Sequence, residues 1–201
     1  MIQNGKNFFK IVAKISEKTS NVSICLQKTL KLPKISTIND DKVSTKECLS
    51  NLPVISLCFG VENLFNTSAD NRRSLIDSGL FHVKHEYLSK LQNYNKILNA
   101  RNKSLKNKND SNLSYLTDKL IDNGMLINEY RTRYMDELSL HLKETLTELS
   151  NNSTLYSDIS NASFYYKSGY SNEPLKSQYD DCLNKDLALG YTTIGPHRAD
   201  L

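Results

Sequence analysis

His82 and His85, with Glu86 beside them, are the nearest the sequence comes to a metal-binding group, because residues three and four apart share one face of a helix. Two imidazoles without a third ligand do not make a site, so no metal is expected. His141 reads as a helix-surface residue. His197 is held in a turn between Pro196 and Arg198, yet no nucleophile stands where it must be activated. Phosphate chemistry through a P-loop would need G-x-x-x-x-G-K followed by Ser or Thr, because glycine amides wrap the phosphates, Lys reaches them and the hydroxyl holds Mg²⁺. Gly5-Lys6 is followed by Asn7 and has no glycine at the required spacing before it. No apolar strand ends in the acidic pair of a Walker B segment. The chain is therefore expected to carry no catalytic residue and no cofactor-binding residue of its own.

The basic residues carry more information. Arg72, Arg73, Lys84, Lys90, Lys96, Arg101, Lys103, Lys106 and Lys108 crowd one stretch whose only acidic residues are Asp77 and Glu86. Such an arm could follow a phosphate backbone, with Tyr87 and Tyr94 stacking on bases. It could equally be a solvated helix face with both tyrosines in the core seam. Arg72 and Arg73 stand apart, just before the apolar periodic run, where a fixed structural contact is as reasonable as DNA.

These residues need elements to position them. FFKIVAKIS and VSICLQKTL alternate apolar and polar residues as strands do, Asn39-Asp40-Asp41 supplies turn chemistry, and Leu52 to Phe59 is a continuous apolar run of strand length. The first sixty residues thus predict a meander ending in a core strand. From Tyr87 the period changes: Leu91, Tyr94, Leu98 and Leu105 form one helical stripe, and Leu116, Leu120, Ile127, Tyr134, Leu138, Leu142 and Leu149 form another. The polar run Lys106 to Asn112 between them predicts an antiparallel helical hairpin, with Gly124 a weak point in its second arm. Strand character returns over TLYSDISNASFYYKSG. A short helix comes next, opened by Pro174 and closed by Gly190, and YTTIGPHRADL reads as a strand entering a tight turn at Gly195-Pro196.

Composition sets looser bounds. At 201 residues the chain can bury a real core, and its net charge of +4 is compatible with a polyanionic partner without demanding one. Cys25, Cys48, Cys58 and Cys182 lie far apart with no C-x-x-C pair, which fits reduced, packed thiols. No apolar run approaches the roughly 20 residues of a membrane span, and the N-terminus lacks a secretory apolar region, so a cytoplasmic protein is expected.

Three stretches resemble the RecF family of bacterial DNA replication and repair proteins, whose heads are similar to those of ABC-type and SMC-like ATPases. VENLFNTSADNRRSLIDSGLFHVKHEYL is similar to a family segment with an Arg pair and a following Leu-Asp, here Arg72, Arg73, Ile76 and Asp77. YNKILNARNKSLK resembles a second, at Tyr94, Leu98, Arg101, Asn102, Leu105 and Lys106. The third and most specific runs through Asp186, Leu189, Tyr191 and Thr192 to Gly195, Pro196, His197, Arg198, Asp200 and Leu201. Val61 stands where the family carries Pro, and NTSADN is shorter than the family's loop before the Arg pair.

The resemblance implies an α/β fold: part of an ABC/SMC-like ATPase head with an inserted antiparallel helical hairpin lobe. Residues 1–60 would be the β-rich part of the head, 61–152 the hairpin lobe and 153–201 the return to the head. In the family the Walker A loop precedes, and the signature and Walker B segments come after, the region matched here, so the chain is expected to be a segment of a longer protein without ATPase activity. For the full-length family the resemblance implies ATP and Mg²⁺, single-stranded or gapped DNA, work with RecO and RecR in loading RecA, and an ATP-dependent homodimer. The alternatives are a non-catalytic basic helical module that binds DNA or a protein partner, and a gene remnant whose open sheet edges favour aggregation.

Overall fold

A computed structural model describes residues 2–16, 21–52, 68–108, 111–152 and 163–201, which gather into two compact units, Met1–Phe59 and Gly60–Leu201. In the first unit four strands, β1 (Phe8–Ser16), β2 (Asn21–Thr29), β3 (Ile35–Ile38) and β4 (Asp41–Val43), pair antiparallel in chain order. Phe8 faces Thr29, Ile24 faces Ile38 and Ser36 faces Val43. Asn39 and Asp40 turn the chain between β3 and β4 with φ of 49° and 71°, a left-handed pair that Asn and Asp tolerate better than other side chains. Asn39 also locks the turn to β2: Ser23 N–H donates to its Oδ1, and its own N–H donates to Ser23 O, both at 2.8 Å.

Apolar–polar alternation thus accounts for the strands and their turn, but not for the helix after β4. Helix α1 (Thr45–Asn51) stands where the sequence pattern predicts a continued meander. Ser44 Oγ accepts from Glu47 N–H while Glu47 Oε2 accepts from Ser44 N–H, a capping box that S-x-x-E encodes and that strand alternation does not reveal. Those hydrogen bonds hold the Glu47 carboxyl below its ordinary pKa, the one from the Ser44 backbone foremost. The helix packs on β3 and buries Cys48. The core strand expected over Leu52–Phe59 lies outside the described residues apart from Leu52, which caps α1.

The second unit is built on α2 (Ala69–Val83), α3 (Tyr87–Lys106), α4 (Leu113–Asn152) and α5 (Leu175–Leu189). Helices α3 and α4 are the predicted antiparallel arms. At 1.5 Å per residue the 40-residue α4 is about 60 Å long, twice its partner, and it runs through Gly124 without a break. Helix α2, capped by Ser68, adds a third member that the sequence pattern does not separate from the arm. Helix α5 begins after Pro174 and ends at Gly190, whose φ of 72° is the left-handed cap that glycine supplies at least cost. Ile76, Leu80, Tyr87, Tyr94, Leu120, Ile127, Met135 and Tyr179 form the core. Burying each such side chain contributes about 1.5–3 kcal/mol.

The closing stretch departs from its predicted strand. Only Asp200 makes a β-bridge, to Lys167, and residues 196–198 form a single 3₁₀ turn. The backbone amides of Thr192 and Thr193 are taken by the side chains of Asn102 and Asp186, at 2.8 and 2.9 Å, so no neighbouring strand receives them. Strand character over residues 153–162 falls outside the described residues.

Candidate functional site

On α3, Tyr87, Tyr94 and Arg101 recur every seven residues along one face, and each is buried to 1% exposure or less. A step of seven is two helical turns, so the three stack in a column. Helix α4 answers in reverse order at the same interval. Arg131 Nε reaches Tyr87 Oη at 3.2 Å, Gly124 opens space beside the Tyr94 ring, and Arg101 Nε donates to Thr117 Oγ1 at 3.0 Å. The seam of the hairpin thus carries three polar groups where leucines would ordinarily sit. Each must be satisfied by partners within the fold.

At the lowest level, Arg131 grips Asp77 in a bidentate pair, Nε to Oδ1 and Nη2 to Oδ2, both 2.9 Å, while Tyr87 Oη donates to the same carboxylate at 2.6 Å. Burial, the largest single influence, opposes the charge on Arg131, but the hydrogen bonds to Asp77 together with the favourable electrostatics of Tyr87, Asp77 and Tyr166 outweigh it and raise its pKa. Burial likewise pushes the Tyr87 and Tyr94 hydroxyls up, keeping both neutral. At the middle level, Tyr94 Oη lies 2.7 Å from His197 Nδ1, and His197 Nε2 lies 3.0 Å from Thr192 O. A carbonyl can only accept, so Nε2 carries the proton and Nδ1 accepts from the tyrosine. Burial depresses the His197 pKa to about 4 and keeps the ring neutral. At the top, Arg101 Nη1 donates to Asp186 Oδ2 and Thr192 Oγ1, both at 2.7 Å. Neither side chain of the Arg101–Asp186 pair exceeds 1% exposure.

All three levels hold the same object, the segment from Thr192 to Asp200. Arg131 Nη1 donates to Pro196 O at 2.6 Å, Arg73 donates to Ala199 O, and Arg72 makes a bidentate pair with Asp200 at 2.7 and 2.9 Å. That pairing lowers the Asp200 pKa, its hydrogen bonds to Arg72 foremost, and raises that of Arg72. Gly195, with φ of 123°, brings its backbone under the Tyr94 and Tyr179 hydroxyls, where a side chain would crowd both. The Thr192–Asp200 segment, with the Gly-Pro-His-Arg motif at its centre, is therefore clasped by five side chains from α2, α3 and α4: Arg72, Arg73, Tyr94, Arg101 and Arg131.

This placement divides the basic residues singled out from sequence. Arg101 is a correction: it is fully buried and its guanidinium is occupied by Asp186, Thr117 and Thr192, so it cannot face a polyanion. Arg72 and Arg73 turn inward onto residues 199–200. Lys84, Lys90, Lys96, Lys103, Lys106 and Lys108 are exposed. Tyr87 and Tyr94 belong to the seam and offer no stacking surface. His82 and His85 each lie against the Phe81 ring, 5.2 and 5.8 Å between centroids, and no group of three metal-ligating side chains occurs among the described residues. His141 pairs with Glu144 at the surface. Arg131 is the functional side chain that sequence reasoning missed. Its signal was position: it falls four residues after Ile127, on the stripe, where a charge requires a buried partner.

No family model matches the chain. Among curated proteins it is 29% identical to the DNA replication and repair protein RecF of Hahella chejuensis over 199 residues, 96% of this chain and 52% of that one. It is 30% identical to RecF of a Thermoanaerobacter species over 211 residues, all of this chain and 57% of that one. Among solved structures, that of the recombination mediator protein RecF with ATP in the RecFOR pathway superimposes with a TM-score of 0.75 at 22% identity, covering 98% of this chain and 56% of that one. The fold is thus that of an ABC-ATPase-like head with its helical lobe. The chain belongs to the RecF family, a family of DNA replication and repair proteins, and spans about half the length of the curated relatives it matches.

No helix among the described residues is long and apolar enough to cross a membrane.

Proposed function

We propose that this chain is the lobe-bearing part of a RecF-type protein and that the lobe binds DNA through the outer face of α3. The observation that carries this is a separation of charge types on one helix: Arg101 is consumed inside, while Lys90, Lys96, Lys103 and Lys106 are exposed. Among the described residues none of those four lysines makes an ion pair. Lysines at such positions attract phosphates and release condensed counterions, so affinity should fall steeply with salt. The full-length protein would bind ATP and Mg²⁺ through residues outside this region, dimerise head to head on ATP, and act with RecO and RecR at single-stranded or gapped DNA to aid RecA loading. The clasp would then carry a rigid connection from the lobe to the segment around Gly195 and Arg198.

The test is fluorescence anisotropy of a labelled single-stranded oligonucleotide titrated with the 201-residue chain at several salt concentrations. Lys96→Gln with Lys103→Gln is expected to weaken binding and flatten its salt dependence. Binding indifferent both to salt and to these substitutions would exclude the outer face of α3. The same chain is expected to show no ATP turnover, and measurable hydrolysis by it would overturn the assignment of nucleotide chemistry to other residues.

A further inference from the structure

Of the charged residues in the Gly-Pro-His-Arg-Ala-Asp run, Asp200 is turned inward to Arg72, but Arg198 is not. Arg198 is exposed and, among the described residues, makes no ion pair. Its Cζ lies 5.1 Å from the centre of the Tyr191 ring, and its Nη2 makes a long contact of 3.4 Å to Thr192 O. A guanidinium held by a ring rather than by a carboxylate keeps its charge and most of its donors available. Tyr191 is itself 39% exposed.

The left-handed turn at Gly190 seats this pair against the last turn of α3. A Cβ placed on Gly190 would lie 3.0 Å from Lys106 Cγ, and Thr192 N–H donates to Asn102 Oδ1 at 2.8 Å, so residues 190–192 lie directly beside Asn102 and Lys106. The two segments that meet here, RNKSLKNK (101–108) and LALGYTTIGPHRA (187–199), contain no acidic residue. Arg101 is neutralised by Asp186 below the surface, which leaves Arg198 on the exposed Tyr191 ring and Lys106 beside Gly190 as cations without an ion pair among the described residues, with Lys103 and Lys108 exposed on the same lysine-rich segment. Lys103 and Lys106 would suit the C-terminal end of α3 in any case. That role accounts for neither the exposed tyrosine nor the arginine stacked on it.

We infer that Tyr191, Arg198 and Lys106 form a binding site for a single-stranded nucleic acid segment, with the cations on successive phosphates and an unpaired base extending the Tyr191–Arg198 stack. The inference rests on the DNA-binding reading above and assigns a part of it to particular residues: Lys106 at the C-terminal end of α3, and Tyr191 and Arg198 beside it, outside that helix. A planar guanidinium on an aromatic ring favours an unpaired base over an acidic peptide, because a base can join the stack while a carboxylate cannot. Duplex DNA keeps its bases in its own stack and would engage the cations alone.

The experiment titrates the full chain with a labelled oligothymidylate and with a duplex of equal length across a salt series. Arg198→Gln with Lys106→Gln is expected to weaken single-strand binding about tenfold or more and to lower the slope of log affinity against log salt by about 1.4, two phosphate contacts at about 0.7 each. Tyr191→Leu is expected to weaken single-strand binding by about fivefold or more while leaving the duplex unchanged. All three side chains are exposed, so thermal melting should match the wild type, and that is measured alongside. Unchanged affinity and slope in the double variant, with wild-type binding intact and Lys96→Gln/Lys103→Gln impaired, would overturn this site and leave the proposed function standing. Failure of the wild-type chain to bind either probe would overturn both. Equal losses for single strand and duplex in Tyr191→Leu would remove the base-stacking part.

Discussion

Arg101 shows how far a residue's type can mislead about its location. It lies in a lysine-rich helix, two positions from the exposed Lys103, yet its guanidinium is sealed against Asp186, Thr117 and Thr192. Removing one partner of a buried pair strands the other charge, which costs about 3–5 kcal/mol. Arg101→Met is therefore expected to lower the urea midpoint drastically, and Arg101→Lys to fall between it and the wild type, since one ammonium cannot reproduce the fork of donors. A midpoint for Arg101→Met equal to the wild type would show that Asp186 is not held by this pair. His197 makes a prediction about acid. Its folded pKa of about 4 lies below the ordinary value near 6.5, because burial disfavours the imidazolium. Between those values the unfolded chain takes the proton first, so stability falls as pH falls through the window, by up to about 3 kcal/mol when the window has been crossed. Asp200, whose pKa is lowered by Arg72, acts in the same direction at lower pH: its contribution is present above the unfolded carboxyl value and is lost below it. Chemical denaturation at pH steps from 7 to 4 should show the slope in the wild type and a flattened one in His197→Gln.

At the scale of elements, glycines test the helix packing. Alanine is worth about 1 kcal/mol over glycine inside a helix, so an unconstrained Gly→Ala should stabilise. At Gly79 in α2 the three atoms nearest the added Cβ all belong to Tyr134, its hydroxyl first and the ring edge behind it, a half-buried side chain that can swing away. At Gly124 in α4 it would meet the buried Tyr170 hydroxyl, with Pro196 and the Tyr94 ring each 3.4 Å away. Thermal melts are expected to place Gly79→Ala at or above the wild type and Gly124→Ala below it by about 1–3 kcal/mol. The reverse order would mean that the Tyr94 level of the column is loosely packed. The elements themselves were legible to different degrees. Helices α3, α4 and α5 announced themselves through a sustained apolar period and their caps, because a stripe must be buried and an end must be satisfied. Helix α1 is short, so its seven residues offered little period, and only the Ser44–Glu47 cap marked it. Helix α2 was hidden for another reason: its buried Ile76, Leu80 and Phe81 are interrupted by Arg72, Arg73 and Asp77, polar residues whose partners lie in other elements.

At the scale of the whole molecule, the closing segment acts as a keystone of the second unit. Arg131, Tyr94, Arg101, Arg73 and Arg72 all direct donors at residues 192–200, so deleting residues 190–201 would leave several buried polar groups without partners at once. Each unsatisfied group costs about 1–3 kcal/mol, and the sum rivals the 5–15 kcal/mol by which a whole domain is stable. A chain ending at Leu189 is therefore expected to lose its cooperative melting transition and the near-ultraviolet signal of its buried tyrosines. Cooperative unfolding of that shortened chain at the wild-type temperature would show that the clasp adds nothing to the lobe.

By itself, the amino-acid order determined the strand meander with its Asn39–Asp40 turn, the two long helical arms, the α5 boundaries at Pro174 and Gly190, and the likeness to RecF. Each of these is a local or periodic property, written in neighbours or in residues three, four and seven apart. The tertiary structure alone decided which cations face water. Arg101 and Lys103 are two residues apart on one helix, yet one is buried and the other exposed, because Asp186 and Thr192, some ninety positions later in the chain, arrive to receive the arginine. It also decided that the Thr192–Asp200 run is no strand, since side chains of Asn102 and Asp186 take the backbone amides that a sheet would have used. Partners so distant in sequence leave no period to read; only the folded chain brings them together.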